Sequence, residues 1–388
     1  MRRIIHVGMY HHKDDIRILY KECNTLAKAG YDVSYVTSDY YGDTESCVID
    51  GIKIKYYSAD LAKEVSLGIG KNIFKCLKLR KKWALEIVEC ILEENPDVVH
   101  IHEYELIFII TTLLKRKPTI KLVYDIHEDN PKHIADLYKK KMGSMLSKVV
   151  ELIVKISENS VVRKSELVFV ATNYICDLVR KHNKNVYVVK NYPKSNDICC
   201  YNDNLSEREN VYCYSGRISE DRGISILVKN SNMINGKFLL AGIFDNMYDN
   251  ELQNKYVDEY NRNVDYRGYL SRKEINQLYS SSVVGLCTLH YHPNYINALP
   301  IKLFEYMAAG IPAVVSDFPL WKEIVNDAKC GILVDPYNEE EIVNAVNLLL
   351  SDRELAKRLG DNGKRAIKDK YSWEHEGKIL LEGYRSIL

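Results

Sequence analysis

Residues 211–223 read VYCYSGRISEDRG, and this stretch decides the fold prediction. Five β-prone residues predict a short strand that ends at Ser215, and a helical pattern follows the charged segment that comes next. In open parallel sheets, ligands bind where a strand ends and a helix begins, because small residues and helix N-termini let an anion approach the backbone. The stretch therefore predicts an α/β sheet with a ligand site beside Gly216.

The charged segment carries two arginines, Arg217 and Arg222. Guanidinium groups are permanently charged and bind phosphate oxygens bidentately, so two of them at a strand end are typical of a diphosphate site. A solvated turn with surface ion pairs is the alternative interpretation of the same residues.

The same alternation of short β-rich runs and helical stretches extends through both halves of the chain, which predicts two doubly wound parallel sheets. In the first half, a helical stretch at residues 16–29 joins strands at residues 3–7 and 32–37. Further strands are predicted at residues 98–102, 121–126, 167–171, 186–189, 237–241, 264–266, 283–287 and 313–316.

A length of 388 residues exceeds what one hydrophobic core usually supports, so we expect two domains. Turn-forming residues at 191–195 and a polar stretch up to residue 210 mark the linker. The predicted domains are residues 1–190 and 196–372. The helical segment at residues 373–388 follows the second domain, and we expect it to pack back on the first.

The composition excludes several classes of protein. A hydrophobic fraction of 46% with 28% charged residues is typical of a soluble globular chain. The longest apolar run, residues 106–114, is shorter than the roughly 20 residues that span a bilayer, and no signal peptide is present. The net charge of +1 argues against a nucleic-acid partner. We therefore expect a cytoplasmic protein.

A second informative stretch covers residues 297–312, which read NALPIKLFEYMAAGIP. Pro300 opens a helix, Glu305 lies one to two turns along it, and Gly310 ends it. A helix N-terminus offers free amides to a phosphate, while a carboxylate farther along can accept both hydroxyls of a ribose. Both features suit a nucleoside diphosphate.

These two stretches resemble the donor site of the large retaining glycosyltransferase family 4, which includes bacterial polysaccharide and phosphatidylinositol mannosyl transferases. The resemblance implies the GT-B fold, in which two Rossmann-like domains face each other across a cleft. In that family an arginine and a lysine hold the diphosphate, and two glutamates eight positions apart contact the donor sugar and the ribose.

Arg217 matches the family arginine and Glu305 the second glutamate, whereas two positions depart from the family pattern. Arg222 stands where a lysine is usual, and Asn297 stands where the first glutamate is expected. A neutral amide can bind sugar hydroxyls but cannot stabilise a developing positive charge as a carboxylate would. The donor-binding residues implied by the resemblance are Gly216, Arg217, Arg222, Gly268, Tyr269, Leu270, Asn297, Ala298, Leu299, Pro300, Ile301 and Glu305.

Two of these assignments have alternatives. The loop from Gly268 to Leu270 matches the family loop that covers the nucleobase, although ordinary packing also explains Tyr269. His127 follows the strand at residues 121–126, where related enzymes direct a histidine toward the donor sugar, so His127 and Asn297 are the catalytic candidates. His102 ends the preceding strand and is a weaker candidate.

His11, His12, Asp14 and Asp15 form the densest group of metal-ligating side chains. The two histidines are adjacent rather than spaced along one helix face, so the loop is equally suited to contact the acceptor or to cap the next helix. The chain contains no Asp-x-Asp triplet, the usual metal anchor of the other major glycosyltransferase architecture. We expect no metal and no cofactor beyond the nucleotide sugar.

Two basic segments raise the question of membrane contact. Lys71, Lys75, Lys78 and Lys82 share a helical stripe, and an apolar stripe is formed by Ile73, Leu77, Ala84, Ile87, Val88 and Ile91. Lys139, Lys140 and Lys141 precede a second amphipathic stretch. Each segment predicts either contact with an anionic membrane or a helix that simply covers the core.

The sequence as a whole indicates a retaining hexosyl- or N-acetylhexosaminyltransferase, with a UDP-sugar as the favoured donor. The expected acceptor is a saccharide or lipid-linked saccharide of surface polysaccharide biosynthesis, such as capsule or O-antigen, at the inner face of the cell membrane. Two alternatives remain at this stage. One is a nucleotide-sugar epimerase of the same two-domain fold, and the other is a non-catalytic relative that binds a nucleotide sugar.

Overall fold

Two sheets with largely parallel strands organise the chain, one in each half. The structure is a computed structural model that describes residues 1–59, 73–195, 205–245 and 248–388. It divides into an N-terminal unit, Met1–Lys190 with Glu376–Leu388, and a C-terminal unit, Asn191–His375. The predicted linker begins where the units divide, and its residues 196–204 lie outside the described part.

The N-terminal unit contains an eight-stranded sheet of order β3-β4-β2-β1-β5-β6-β7-β8. Its strands are β1 (Arg3–Val7), β2 (Asp32–Ser38), β3 (Cys47–Ile49), β4 (Ile52–Tyr57), β5 (Val98–Ile101), β6 (Lys121–Ile126), β7 (Leu167–Val170) and β8 (Val186–Val188). Only the pairing of β3 with β4 is antiparallel among the described pairs. In the register of β1 and β5, His6 lies opposite His100.

Helices connect these strands, as parallel pairing requires. A π-helical segment, Ile16–Cys23, leads into α1 (Asn24–Lys28), which is followed by α2 (Ile73–Leu92), α3 (Ile107–Arg116), α4 (Asn130–Lys164) and α5 (Asn173–Val179). Gly143 has a φ of 77° and a non-helical conformation, so it kinks α4.

The C-terminal unit contains a six-stranded parallel sheet of order β11-β10-β9-β12-β13-β14. Its strands are β9 (Val211–Ser215), β10 (Lys237–Ala241), β11 (Val264–Tyr266), β12 (Val284–Cys287), β13 (Ala313–Ser316) and β14 (Gly331–Val334). Its helices are α6 (Ile224–Lys229), α7 (Tyr248–Lys255), α8 (Val257–Asn263), α9 (Arg272–Ser281), α10 (Pro293–Ile296), α11 (Ile301–Ala309), α12 (Pro319–Ala328), α13 (Glu339–Ser351) and α14 (Arg353–Asp369).

The last helix, α15 (Trp373–Ile387), contributes its residues from Glu376 onward to the N-terminal unit. Leu380 and Tyr384 are fully buried there, and the Tyr384 hydroxyl lies 2.9 Å from Nδ1 of His100. The end of α15 is fixed by hydrogen bonds between Ser386 and Asn185. The C-terminal residues thus complete the packing around β5.

The predicted α/β class with two parallel sheets is confirmed, and the structure adds β3, β4 and β14 to the predicted strands. β3 and β4 form a hairpin whose turn residues, Asp50 and Gly51, have φ values of 50° and 81°. An Asp-Gly pair between short apolar runs is a strong hairpin signal, so this element was available in the sequence.

The structure describes only part of the first basic segment. Lys71 and the side chains of Ile73, Lys75, Leu77 and Lys78 lie outside the described residues. The members of the predicted apolar stripe whose side chains are described, Ala84, Ile87, Val88 and Ile91, are buried in the core. This part of α2 therefore covers the sheet. Within the described residues, no helix combines the length and the hydropathy that crossing a bilayer requires.

We expect Gly285→Ala to lower the free energy of unfolding by about 1–3 kcal/mol, because overpacking a filled core is destabilising. A Cβ at this position of β12 would lie 2.4 Å from the buried Tyr306 ring of α11, whose hydroxyl donates to the Leu286 carbonyl at 3.1 Å. Urea unfolding followed by circular dichroism measures the effect. The exposed Ser351→Ala variant is the control, and equal stability of the two variants would contradict this packing.

Candidate functional site

Three glycines stand at the carboxyl ends of β9, β10 and β11, and their loops interlock. The Gly216 amide donates to the Ala241 carbonyl at 2.9 Å, and the Gly242 amide donates to the Gly268 carbonyl at 2.8 Å. A Cβ at Gly242 would lie only 1.7 Å from the Gly216 carbonyl oxygen. Gly242 therefore has no room for a side chain, and the loops that follow β9 and β10 pack backbone against backbone. Gly242 was missed at the sequence level, although a glycine directly after a strand was a signal.

Lys302 and Arg222 place two positive charges beside Gly216. A Cβ at Gly216 would lie 2.4 Å from Nζ of Lys302, whose ammonium lies 5.0 Å from the centre of the Tyr214 ring. The Arg222 guanidinium lies 4.7 Å from the centre of the Tyr295 ring. Within the described chain, neither cation forms a salt bridge, and Nε of Arg222 is buried without a hydrogen-bond partner. Asp221 interacts electrostatically with Arg222, and Glu305 does so with Lys302; two cations this close together can bind an anion.

The two cations also perturb each other. Burial, followed by the charge of Arg222, lowers the pKa of the Lys302 ammonium. A dianion bound between them would relieve this repulsion. Lys302 was missed as a site residue because the sequence interpretation looked only for a lysine at position 222. Its place in the first turn of the helix that carries Glu305 was the available signal.

The Arg222 loop is fixed against the end of β12. Gly223 has a φ of 74°, and a Cβ there would lie 2.3 Å from the Thr288 carbonyl oxygen. The Asp221 carbonyl accepts the His290 amide at 2.9 Å, and its carboxylate accepts the Tyr295 hydroxyl. Backbone contacts between two neighbouring strand ends thus position Arg222.

Helix α11 begins beside these cations. Its N-terminal residue Pro300 makes no side-chain capping bond. The Leu303 amide of the first turn hydrogen-bonds to the buried Cys287 sulfur, so the amides of Ile301 and Lys302 are the ones that face the start of the helix. The Ala298 carbonyl accepts Nε1 of the buried Trp321 at 2.9 Å, which holds the chain that enters the helix. Ile301 is exposed, and Leu299 packs against the core.

Glu305 lies one turn beyond Lys302 and is held by two donors. The Arg272 guanidinium donates to Oε1 at 2.6 Å, and the Tyr279 hydroxyl donates to Oε2 at 2.8 Å. Tyr279 also bonds the Ser215 hydroxyl at 2.7 Å, so one buried phenol joins the end of β9 to the carboxylate. Arg272 and Tyr279 lie far from Glu305 in sequence, and no motif pointed to them.

Arg217 lies outside the group formed by Glu305, Arg272 and Tyr279. Its guanidinium forms an exposed ion pair with Asp245 at 2.7 Å, and no described contact joins it to Glu305. The surface ion pair that was the alternative interpretation of this segment is therefore what the structure has at Arg217. Its carbonyl accepts the Tyr214 hydroxyl at 2.7 Å, which fixes the backbone of the loop.

The remaining predicted donor residues lie around the same edge of the sheet. Gly268 belongs to the interlocked loops, Leu270 packs against the core, and Tyr269 is 78% exposed. Nδ2 of Asn297 makes only a long bond of 3.4 Å, to the Pro293 carbonyl. The Tyr269 ring and the Asn297 amide are thus weakly held in the ligand-free chain.

In the N-terminal unit, His127 follows β6 and is oriented by a buried ion pair. Its Nε2 lies 2.7 Å from Oδ2 of Asp125, and the Arg17 guanidinium donates to both oxygens of Asp125 at 3.0 and 2.9 Å. Burial opposes ionisation of Asp125, but the Arg17 charge, the His127 charge and hydrogen bonds from His102 and His127 together outweigh it and hold the pKa of Asp125 well below its usual range. His127 remains partly exposed, whereas Arg17 and Asp125 lie behind it.

His11 and His12 form separate contacts rather than one metal site. His11 lies 2.9 Å from Asp15 and 3.3 Å from Glu103, and His12 bonds Asp14 and lies 3.2 Å from Asp43. Burial lowers the pKa of His11, but its bond to Asp15 and the Glu103 charge outweigh burial and raise it. Asp15 also caps the following helical segment through the Ile18 amide.

His102 is less accessible than its predicted role requires, and the neighbouring Glu103 has a structural contact. His102 is buried and contacts His6 and Asp125, so its side chain lies behind His127 and is closed to an acceptor. The Glu103 carboxylate accepts the Met9 and Tyr10 amides and shapes the loop that follows β1.

Two family models match the chain and cover most of it between them. Residues 17–191 match the model described as Glycosyltransferase Family 4, and residues 202–366 match the model described as Glycosyl transferases group 1. The first match falls in the N-terminal unit, and the second falls in the C-terminal unit.

Several curated relatives are named as glycosyltransferases. An uncharacterized glycosyltransferase of Methanocaldococcus jannaschii is 30% identical over 185 residues, which are 47% of this chain and 46% of the relative. The chain thus spans about half the length of this relative. The alpha-D-kanosaminyltransferase of Streptomyces kanamyceticus is 25% identical over 296 residues, 71% of this chain and 73% of the relative.

Solved structures share the whole fold. A sucrose-phosphate synthase from Thermosynechococcus elongatus superposes with a TM-score of 0.76 at 17% identity, covering 100% of this chain and 99% of that one. Anabaena HepE in complex with UDP and glucose gives a TM-score of 0.72 at 13% identity, with both chains fully covered. These similarities confirm the predicted GT-B fold, and each half of the chain matches a glycosyltransferase family model, the N-terminal half that of family 4.

Proposed function

We propose that this chain moves a sugar from a nucleoside diphosphate sugar to an acceptor hydroxyl with retention of configuration. The observation that carries the proposal is the pair of neighbouring cations at the N-terminus of α11, Lys302 against Gly216 and Arg222 close to Lys302, neither of which forms a salt bridge within the described residues. A diphosphate supplies the charge that these groups lack, and the carboxylate of Glu305 stands one turn farther along the same helix.

Arg222 and Lys302 are the proposed main holders of the diphosphate. Guanidinium binds phosphate bidentately and ammonium acts as a point charge, so the two side chains are complementary. Arg217 begins in a 2.7 Å ion pair with Asp245, and its participation requires exchange of that partner for a phosphate oxygen. The family arginine would therefore be recruited on binding.

Glu305 is the proposed ribose ligand. Its two oxygens offer about four lone-pair sites, and Arg272 and Tyr279 each use one while fixing the carboxylate plane. The remaining lone pairs suit the two ribose hydroxyls. The exposed Tyr269, beside Gly268 and Leu270, is the proposed cover for the base.

In the proposed reaction, the bond from the anomeric carbon to the diphosphate oxygen breaks and a bond to the acceptor oxygen forms on the same face. The acceptor proton passes to the departing diphosphate oxygen, so the step needs no side-chain base. Arg222, Lys302 and the first amides of α11 stabilise the charge that develops on the leaving group. Asn297 binds sugar hydroxyls without adding charge. The chemistry is proposed to need no metal.

His127 is the proposed substrate-contacting residue of the N-terminal unit. Asp125 engages Nε2, which leaves Nδ1 to accept a hydrogen bond from a sugar hydroxyl. Arg17 keeps Asp125 ionised and in place, as a positioning residue. His11 and Glu103, on the neighbouring loops, supply the proposed polar surroundings of the acceptor.

A UDP-sugar is the proposed donor, supported by the UDP and glucose bound to the similar HepE structure. The transferred group is proposed to be a hexose or an N-acetylhexosamine. The kanosaminyltransferase relative acts, by its name, on an amino sugar, which is consistent with this range. The proposed setting is the synthesis of surface polysaccharide.

An acceptor on a lipid carrier is supported by an apolar face on α4. After the kink at Gly143, this helix exposes Met145, Leu146, Val149, Leu152, Ile153 and Ile156. Lys139, Lys148 and Lys155 are exposed on the same helix, and the side chains of Lys140 and Lys141 lie outside the described residues. Apolar residues interleaved with lysines are typical of helices that lie on an anionic bilayer. We propose that this face contacts the membrane.

We expect Arg222→Ala and Lys302→Ala each to weaken UDP binding by about 10- to 100-fold, because each removes a charge-assisted hydrogen bond of about 1.5–3 kcal/mol. Isothermal titration with UDP measures the loss. Lys357→Ala, which removes an exposed lysine paired with Asp361, is the matched control.

Thermal unfolding without ligand shows whether each of these variants folds. UDP affinity equal to that of the unmodified chain in both folded site variants would remove the basis of the proposed donor site. Incubation of the unmodified chain with UDP-sugars and no acceptor distinguishes the epimerase hypothesis, since an epimerised sugar would contradict transfer.

We expect the double variant Leu152→Asp with Ile156→Asp to lose most binding to vesicles that contain phosphatidylglycerol, by about tenfold or more, because burying each charge opposes insertion of the face. Vesicle co-sedimentation measures the bound fraction. Leu348→Asp changes an exposed leucine of α13 and is the control. Equal binding by the double variant and the control would exclude α4 as the contact surface.

A further inference from the structure

Three histidines and a glutamate meet in the interior of the N-terminal unit, away from the residues proposed to touch substrate. His6 lies on β1 and His100 on β5, opposite each other in the parallel register. His102 follows two residues after His100 and is therefore on the same face of the sheet. Glu22 reaches them from the π-helical segment, and all four side chains are buried.

The polar atoms of this cluster converge on one point. Oε2 of Glu22 lies 4.0 Å from Nδ1 of His6, 4.0 Å from Nδ1 of His100 and 3.9 Å from Nε2 of His102. All four ligand atoms lie within 4.8 Å of one another. These distances exceed a hydrogen bond from the carboxylate to any of the rings. The three ring nitrogens therefore lie around Oε2 of Glu22, but none of them is hydrogen-bonded to it.

The cluster is incompletely satisfied. Neither oxygen of Glu22 accepts a hydrogen bond within the described residues; Oε1 forms an ion pair with Nε of Arg17 at 3.0 Å, and the carboxyl group also interacts with Asp125. Of the ring nitrogens nearest Oε2, Nδ1 of His6 and Nε2 of His102 contact each other at 2.8 Å, and Nδ1 of His100 lies 2.9 Å from the Tyr384 hydroxyl, so the carboxylate is the group that lacks a hydrogen-bond donor. A buried carboxylate among imidazoles is costly unless a charge compensates it.

We propose that His6, Glu22, His100 and His102 bind one structural zinc ion. Three imidazole nitrogens and one carboxylate oxygen are a ligand set that zinc prefers, and four protein ligands leave no open position for a substrate. Tetrahedral zinc with bonds of about 2.0–2.1 Å needs ligand atoms about 3.3 Å apart. The carboxylate would move inward, and the 2.8 Å contact between His6 and His102 would widen.

Nearby groups fit a supporting role around the ion. Oε1 of Glu22 would keep its ion pair with Arg17, while Oε2 binds the metal. The Tyr384 hydroxyl, now 2.9 Å from Nδ1 of His100, would turn to an oxygen of Glu22 when that nitrogen binds the ion. Such outer partners orient metal ligands.

A second group of metal-ligating residues, His102, Asp125 and His127, is less suited to a cation. The Arg17 guanidinium donates to both oxygens of Asp125 and so occupies that carboxylate, whereas at Glu22 it contacts only Oε1 and leaves Oε2 to a metal. The proposed ion therefore stands behind the Asp125 and His127 pair and joins β1, β5 and the helical segment. It takes no part in the proposed transfer step.

Metal content of the purified chain tests the proposal. The chain is expressed in zinc-supplemented medium, freed of any affinity tag, and dialysed before elemental analysis, where we expect about one zinc per chain. Glu22→Gln and His100→Asn should each lose most of that zinc, whereas His182→Asn, an exposed histidine elsewhere, should retain it.

Cobalt provides a measurement that does not depend on the variants folding. The unmodified chain, stripped with a chelator and reloaded with CoCl₂, should show the intense visible bands of four-coordinate Co²⁺, and ZnCl₂ should raise its unfolding temperature. A zinc content below about a tenth of an equivalent, with no such cobalt bands, would overturn the proposal. Zinc content and the cobalt spectrum do not depend on UDP binding. The result for the Arg222 and Lys302 variants therefore does not decide the zinc proposal, and the zinc result does not decide the proposed donor site.

Discussion

The placement of two neighbouring positive charges against a glycine backbone is the constraint on which the proposed site depends. Arg222 and Lys302 repel each other, and the folded chain holds them together through backbone packing and through the Tyr295 and Tyr214 rings beneath them. Gly223 abuts the Thr288 carbonyl, and Lys302 fills the space beside Gly216. The sheet and α11 thus maintain an arrangement that an anion would stabilise.

The same helix connects this charge to a carboxylate. Lys302 and Glu305 are one turn apart on α11, and the buried Tyr279 joins Glu305 to Ser215 at the end of β9. The cations and Glu305 are therefore fixed by one packed unit, the C-terminal sheet with α9 and α11. Rigid placement of binding groups lowers the entropy that a ligand loses on binding.

The N-terminal unit uses buried charge differently. Arg17 compensates Asp125 and contacts Glu22, so one guanidinium lies between His127 at the edge of the sheet and the histidine cluster inside it. Removal of Arg17 would leave two buried carboxylates without their cation, which is among the costliest changes available to a core. The orientation of His127 and the stability of the sheet therefore both depend on Arg17.

The sequence by itself determined the α/β class, most strands, the division into two halves, and the candidate positions Gly216, Arg222 and Glu305, because strand and helix periodicity and turn residues are local signals. Only the tertiary structure decided which charges are compensated. Arg217 forms an ion pair with Asp245, and Glu305 accepts hydrogen bonds from Arg272 and Tyr279. Lys302 lies close to Arg222. The cluster of His6, Glu22, His100 and His102 likewise depends on strand order, since β1 and β5 are distant in sequence and adjacent in the sheet. Pairing across a sheet is a long-range contact, and no local pattern encodes it.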